Sequence, residues 1–281
     1  MNLSICIPTY NRQAAVSAQI EFLLAELEGF DSVEVIVSDN ASLDNTFKAL
    51  KKIKSSRLSC YFHEENIGML GNIKRLISYS KGRYIWLLSD DDVLLPGVTK
   101  EIVSKISLEP DIIFLNHSIV NFITRNVDSS DLFEELKISS KESFFSNISS
   151  KRFGQLMFMS ASIHKRERLN EVVDVVDNIA APLDFFLNGV RFKRIELVKE
   201  IFLKNIVGNE SWGREAVLVF GKYVPSIIIK YIIKGTCVGF NFALLWSWLR
   251  AYWRHYIFLR LPTVVRVTAI KVVGKKCSKR K

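Results

Sequence analysis

The sequence predicts an α/β protein built on a mostly parallel central sheet with helices on both faces, followed by a basic, aromatic-rich helical extension. Three observations carry this expectation. Short β-branched runs alternate with helix-length amphipathic stretches through the first hundred residues, the signature of a parallel sheet joined by crossover helices. Three of the strand-like runs end in polar or acidic residues, most markedly YIWLLSDDDVLL at residues 84–95. Charge also divides the chain: 13 Lys and Arg follow Glu215 with no Asp or Glu, leaving 26 basic against 29 acidic residues before it. A mildly acidic body thus carries a strongly basic end, an asymmetry that points to an anionic surface as partner.

Residues 3–8 form a short buried strand that Pro8 and Asn11 end in a turn. A helix follows, with Val16, Ile20, Leu23, Leu24 and Leu27 on one face. Residues 33–37 make a second strand ending in acid at Asp39; Asp44 then opens a basic helix with Ser42 as its expected cap. A third strand spans residues 58–62, a third helix residues 71–79, and a fourth strand residues 84–88. Beyond them, residues 101–107 read as a helix and 111–115 as a strand. Residues 124–152, rich in Ser, Asp, Glu and Lys, read as a partly helical excursion. Residues 154–164 return to strand character, and a helix starts behind Pro182.

In open parallel sheets, ligands bind outside the carboxyl ends of the strands. Thr9, Tyr10 and Asn11 follow the first strand, Asp39 and Asn40 the second, and Asp90, Asp91 and Asp92 the fourth. Asn66 and Gly68, with Asn72 after Gly71, border the same edge behind the third strand. Three consecutive carboxylates either form a solvated acidic turn, which Pro96 and Gly97 would favour, or hold a hard cation such as Mg²⁺ or Mn²⁺. Polar groups gathered at several strand ends favour the second reading.

Four stretches in register, CIPTYNR at residues 6–12, VSDNASLD at 37–44, ENIG at 65–68 and YIWLLSDDDVLLPG at 84–97, resemble the signature stretches of the family-2 glycosyltransferases, which have the GT-A fold. The resemblance covers roughly the first hundred residues. It implies a nucleotide-sugar-binding half and inverting glycosyl transfer. Asp39 would contact the base, and Pro8, Thr9, Tyr10, Arg12, Asn40, Asp44, Asn66, Gly68, Asn72 and Asp90 would line the donor pocket. A divalent metal, Mg²⁺ or Mn²⁺, would join the diphosphate to Asp91 and Asp92. The family's Asp-x-Asp places Ser89 where the first Asp is expected and Asp91 at the second. Branches that write SDDD resemble transferases of bacterial surface polysaccharide.

The resemblance also calls for a general base near the start of the domain's second half, because inverting displacement needs a carboxylate to take the proton from the attacking hydroxyl. Asp184, in the first turn of the helix behind Pro182, is the choice over the less well placed Glu167, Asp174 and Asp177. Its alternative role is a helix N-terminal charge favoured by the macrodipole. Glu210 and Trp212 in the loop at 208–213 are expected on the acceptor side, where Trp212 either stacks on a sugar or anchors the loop.

The basic end interleaves Trp246, Trp248, Tyr252, Trp253, Tyr256 and Phe258 with Arg250, Arg254 and Arg260. Only 15 uncharged residues separate Lys234 from Arg250, too few for a spanning helix, so an interfacial amphipathic element is expected. RNA binding by the tail and ordinary helices packed on the body are the competing readings; no nucleic-acid motif accompanies the basic residues. The four cysteines lie in no metal-ligand spacing, so reduced thiols and no zinc site are expected. No positively charged leader precedes the first apolar run, and residues 1–12 read as a strand and turn and not as a signal peptide, so a cytoplasmic protein is expected. Absence of spanning helices and of the family's QxxRW motif argues against a processive synthase.

The expected organisation is a GT-A domain at 1–215, with a nucleotide-sugar half at 1–115 and an acceptor half at 116–215, and a membrane-associating region at 216–281. The expected function is transfer of one sugar from a nucleotide-sugar donor to a lipid-linked (polyprenyl-diphosphate) glycan at the cytoplasmic face of the bacterial inner membrane, held peripherally by its anionic surface. The alternative is a non-catalytic nucleotide-sugar or lipid-binding protein of the same fold.

Overall fold

A computed structural model describes residues 1–121, 124, 126–191, 194–207 and 216–260. The chain divides into two compact units, Met1–Asn209 and Glu210–Lys281. In the first, β1 (Leu3–Thr9), β2 (Val33–Asp39), β3 (Leu58–Phe62) and β4 (Tyr84–Leu87) pair in parallel in the order β3-β2-β1-β4. Helices α1 (Gln13–Glu26), α2 (Thr46–Lys52) and α3 (Gly68–Tyr79) make the crossovers. The order reverses direction after β1, and such a switch point opens a crevice at the carboxyl ends of the strands.

Burial explains the helices on both faces. Cys6, Ile36, Ile85 and Leu87 share one hydrophobic cluster with Ile73, Leu76 and Ile77 of α3 and with Ala181 and Phe185 of α8 (Ala181–Val190). The alternate residues Ile5, Ile7, Val35, Val37 and Trp86 are equally buried, so both sides of these strands are covered, as parallel sheets require. Gly82 has no room for a side chain: a Cβ there would meet the Ser4 backbone nitrogen at 2.4 Å. Its amide donates to Ser4 Oγ at 2.7 Å, and Ser4 Oγ donates to Glu34, which locks the entry of β4 against β1.

Beyond β4 the sheet is mixed. The two-residue β5 (Val93–Leu94) and the long β9 (Ile195–Val207) pair antiparallel, β9 runs parallel to β6 (Ile112–Asn121), and β8 (Ser162–Lys165) lies antiparallel between β6 and β4. The short β7 (Val127–Ser129) hangs on β6. Helices α4 (Val98–Ile106), α5 (Leu132–Leu136), α6 (Lys141–Lys151) and α7 (Arg166–Asn170) complete this unit.

Several expectations change. Residues 154–164 were expected as strand, but two tight turns, Phe153–Met157 and Met159–Ala161, precede the four-residue β8. The helix expected from residue 71 begins three residues earlier, at Gly68, whose φ of 76° suits glycine. Ser42 does not cap α2. Asp44 does that work in an Asx turn, taking the Thr46 amide at 2.9 Å. The strand β9 has no counterpart in the sequence reading.

In the second unit, α9 (Ala216–Leu218), a π-helical turn (Val219–Tyr223) and α10 (Val224–Ile233) run on continuously, and α11 spans Val238–Arg260. Among the described residues, one helical stretch, Ala216–Ile233, has the length and apolar composition to cross a membrane, where the sequence reading expected none. Val219, Val224, Ile227, Ile228 and Tyr231 of this stretch are buried within the protein.

Candidate active site

The carboxyl ends of β1, β2 and β4 and the start of α3 meet in one polar network. Asn40 N donates to the Thr9 carbonyl at 3.0 Å. The Asn40 side chain takes the Ile67 amide and gives to Asn66 Oδ1, both at 2.9 Å. Asn66 Oδ1 in turn receives the Gly68 amide. Asn11, in left-handed backbone, accepts the Leu43 amide at 2.7 Å while Ser42 Oγ accepts the Asn11 amide. Asp39 takes both the amide and hydroxyl of Ser42. Asp44 accepts the Gln13 amide besides Thr46. Tyr10 stands exposed at this edge, and Pro8 pairs opposite Ser38.

The acidic stretch enters this network through Thr9, whose hydroxyl donates to Asp90 Oδ2 at 2.7 Å. Arg12 Nη1 bonds Asp91 Oδ2, and Arg12 Nε lies 3.8 Å from Asp90 Oδ1. One guanidinium thus faces two adjacent carboxylates. Burial pushes the Asp90 carboxyl up to about 6 against the opposing pull of Thr9 and Arg12. Ser89, standing where the family pattern has an Asp, donates to Asp91 Oδ1 at 2.6 Å and aims that carboxylate.

Asp92, the other residue expected to hold the metal, has a different environment. It is 5 % exposed, bonded by Ser160 Oγ at 2.5 Å, and pushed up to about 8 by burial. Burial makes its charged form costly, a cost that a cation held beside Asp91 would offset. Ser160, which also accepts the Ser89 amide at 2.9 Å, was missed in the sequence because a lone Ser in an irregular segment carries no signal. Asn72 is likewise internal: buried, it donates to the Ser38 carbonyl and bonds His63, which bonds Ser38 Oγ. It braces the end of β2 from within.

Asp184 lies in the first turn of α8 and is 3 % exposed. The cluster shared by Leu87 and Phe185 packs this helix against the strand that delivers the acidic stretch. Glu210 and Trp212 lie outside the described residues.

No group of three His, Cys, Asp or Glu among the described residues could close round a metal ion. A Mg²⁺ or Mn²⁺ site made of one or two carboxylates, with phosphate oxygens and water completing the shell, asks for less. The adjacent Asp90 and Asp91, already facing a cationic group, fit that requirement.

Comparison with known proteins agrees with this geometry. A model of the glycosyl transferase family 2 matches residues 4–165, more than half of the chain, and the chain belongs to that family. The UDP-Glc:alpha-D-GlcNAc-diphosphoundecaprenol beta-1,3-glucosyltransferase WfaP of Escherichia coli is 32% identical over 117 residues, 41% of this chain and 45% of that protein. The GalNAc(5)-diNAcBac-PP-undecaprenol beta-1,3-glucosyltransferase of Campylobacter jejuni is 26% identical over 174 residues, 60% of this chain and 55% of that protein. The chain spans about half the length of these relatives. Among solved structures, Staphylococcus aureus TarS 1–349 in complex with UDP-GlcNAc superposes with a TM-score of 0.66 at 17% identity, covering 94% of this chain and 77% of that one. Mannosyltransferase PcManGT from Pyrobaculum calidifontis, in complex with GDP-Man and Mn²⁺, gives 0.62 at 13% identity, covering 98% and 79%. At such identities the likeness establishes the fold, which is GT-A.

Proposed function

We propose that this protein transfers one sugar, with inversion, from a nucleotide-sugar donor to a glycan carried on a polyprenyl diphosphate, in the synthesis of a bacterial surface polysaccharide. The observation that carries the reading is the junction of Thr9, Arg12, Asp90 and Asp91 with Asn40 and Asn66 at the switch point of the sheet. The printed activities of the Escherichia coli and Campylobacter relatives support an undecaprenyl-linked acceptor and make UDP-glucose the first donor to test.

In this mechanism Asp39, Asn40 and the loop at Asn66–Gly68 form the nucleoside end of the pocket, with Tyr10 at its mouth. Asp91, with Asp90 beside it, would hold Mg²⁺ or Mn²⁺, which offsets charge on the departing nucleotide diphosphate. Arg12 is placed to follow the diphosphate, exchanging one anionic partner for another. Asp184 takes the proton of the attacking acceptor hydroxyl on the face opposite the leaving group. The acceptor's lipid and the basic extension together put the enzyme at the anionic inner face of the cytoplasmic membrane, bound peripherally.

Single-turnover sugar transfer with Asp91→Ala and Asp184→Ala tests the assignment. Both are expected to lose at least about 10²-fold in rate, the usual scale for losing a charge-stabilising or proton-accepting group. Donor binding is expected to survive in Asp184→Ala. Wild-type rates in both variants would sink the assignment, and donor binding by wild type without any transfer would favour the non-catalytic alternative.

A further inference from the structure

The second unit presents apolar surface where a soluble protein ordinarily places polar side chains. Helix α11 buries Asn241, Leu244 and Trp248 on one side, while Phe242, Trp246 and Leu249 are 54%, 60% and 38% exposed. Their spacing of i, i+4 and i+7 puts them on one face. In α10, Ile227, Ile228 and Tyr231 are buried and Ile229 and Ile233 exposed, again at i and i+4. A surface helix normally sets charge opposite its buried stripe; these two set more hydrocarbon there.

We infer that the exposed Phe242–Trp246–Leu249 face of α11 is a docking surface for an anionic phospholipid bilayer, inserting to headgroup depth with Arg250 as its phosphate contact. Charge selects the occupant. After Glu215 the sequence contains no carboxylate side chain, and Lys222, Lys230, Lys234 and Arg250 lie on or beside these helices. A second copy of the same surface would set cation against cation. Nucleic acid would need open aromatic faces on which bases stack. Here the Arg250 guanidinium sits 5.5 Å from the centre of the Trp246 ring, and Leu249, Ile229 and Ile233 offer bases nothing to stack on. Aliphatic and aromatic side chains flanked by Arg and Lys fit a lipid interface, where rings sit at the headgroups and cations meet phosphate. This inference rests on the peripheral membrane placement proposed above and names the face that makes it; vesicle binding reads it independently of sugar transfer.

The full-length protein is tested by cosedimentation with phosphatidylcholine vesicles, with and without phosphatidylglycerol. Wild type is expected to partition at least about tenfold more strongly onto the anionic vesicles, and added salt should weaken this. The double variant Phe242→Glu/Trp246→Glu should lose about tenfold or more of that binding, with donor hydrolysis unchanged as the check on the catalytic unit. Arg250→Glu reverses the charge beside the apolar stripe while leaving Phe242, Trp246 and Leu249 in place, and serves if the double variant melts early; it should bind several-fold more weakly. Equal sedimentation of wild type with both vesicle types, or equal binding by wild type and Arg250→Glu, overturns the proposal. So does a wild-type dimer in solution that either variant converts to monomer, or retention of RNA in preference to vesicles.

Discussion

Replacing Asp92 by Asn should stabilise the protein, and by an amount that depends on pH. Asp92 is buried, hydrogen-bonded by Ser160, and pushed up from the ordinary 3.8 to about 8 first by burial and then by Asp91. At pH 7 the unfolded chain carries this carboxylate ionised, while the folded protein holds it protonated. Folding therefore takes up a proton at a cost of 1.36 kcal/mol for each unit between the unfolded pKa and the ambient pH, or about 4 kcal/mol at pH 7. The sign follows directly. The native state binds more protons than the unfolded one between pH ~4 and ~8, so stability falls as pH rises through that window; below it both states are protonated and the cost disappears. Asn keeps the shape and an acceptor for Ser160 without titrating. Urea unfolding of the metal-free protein in chelator should give curves for wild type and D92N that nearly coincide at pH ~4 and separate by a few kcal/mol toward pH 8. A difference that stays constant across this range would refute the argument that Asp92 is protonated in the fold.

Other consequences concern the cleft and the sheet. Arg12→Gln removes the cation that faces Asp90 and Asp91, so calorimetric titration with Mn²⁺ alone should show tighter binding, by about tenfold, a change of ~1.4 kcal/mol; weaker Mn²⁺ binding would contradict it. The same variant should bind nucleoside diphosphate more weakly, by about tenfold. Asn40→Ala leaves the Ile67 amide without its partner and takes one of two donors from Asn66 Oδ1, and should lower stability by about 1–3 kcal/mol with a larger proportional loss of donor affinity, read by thermal unfolding and donor titration. Gly82→Ala drives a methyl into the Ser4 backbone and should cost about 2–4 kcal/mol in the urea midpoint; a neutral result would mean that β1 and β4 separate more easily than their register implies.

How much could be read beforehand differs between the two halves of the catalytic unit. The strands β1 to β4 were legible because each is a short apolar run whose polar end marks where the chain leaves the sheet. Asp39, Asn40, Thr9 and Asp90 were named from those ends. The strand β9 was not legible: IELVKEIFLKNIV mixes Lys and Glu through thirteen residues, and its alternation is broken where Lys199–Phe202 bulge out between the residues paired with Leu115 and His117. Its distant partners β6 and β5 make it a strand. Ser160 was invisible for a similar reason, since its work on Asp92 and Ser89 crosses about seventy residues of chain.

The amino-acid order alone determined the alternation of strand and helix, the four stretches that mark the family, and the separation of an acidic body from a basic end, because all three are local properties of pattern and charge. How differently three consecutive carboxylates are housed was decided by tertiary structure. Asp91 faces Arg12 at a half-open edge while Asp92 is sealed against Ser160, and the cost of ionising a carboxyl depends on the water and charge around it, which the fold supplies and a run of identical residues does not encode.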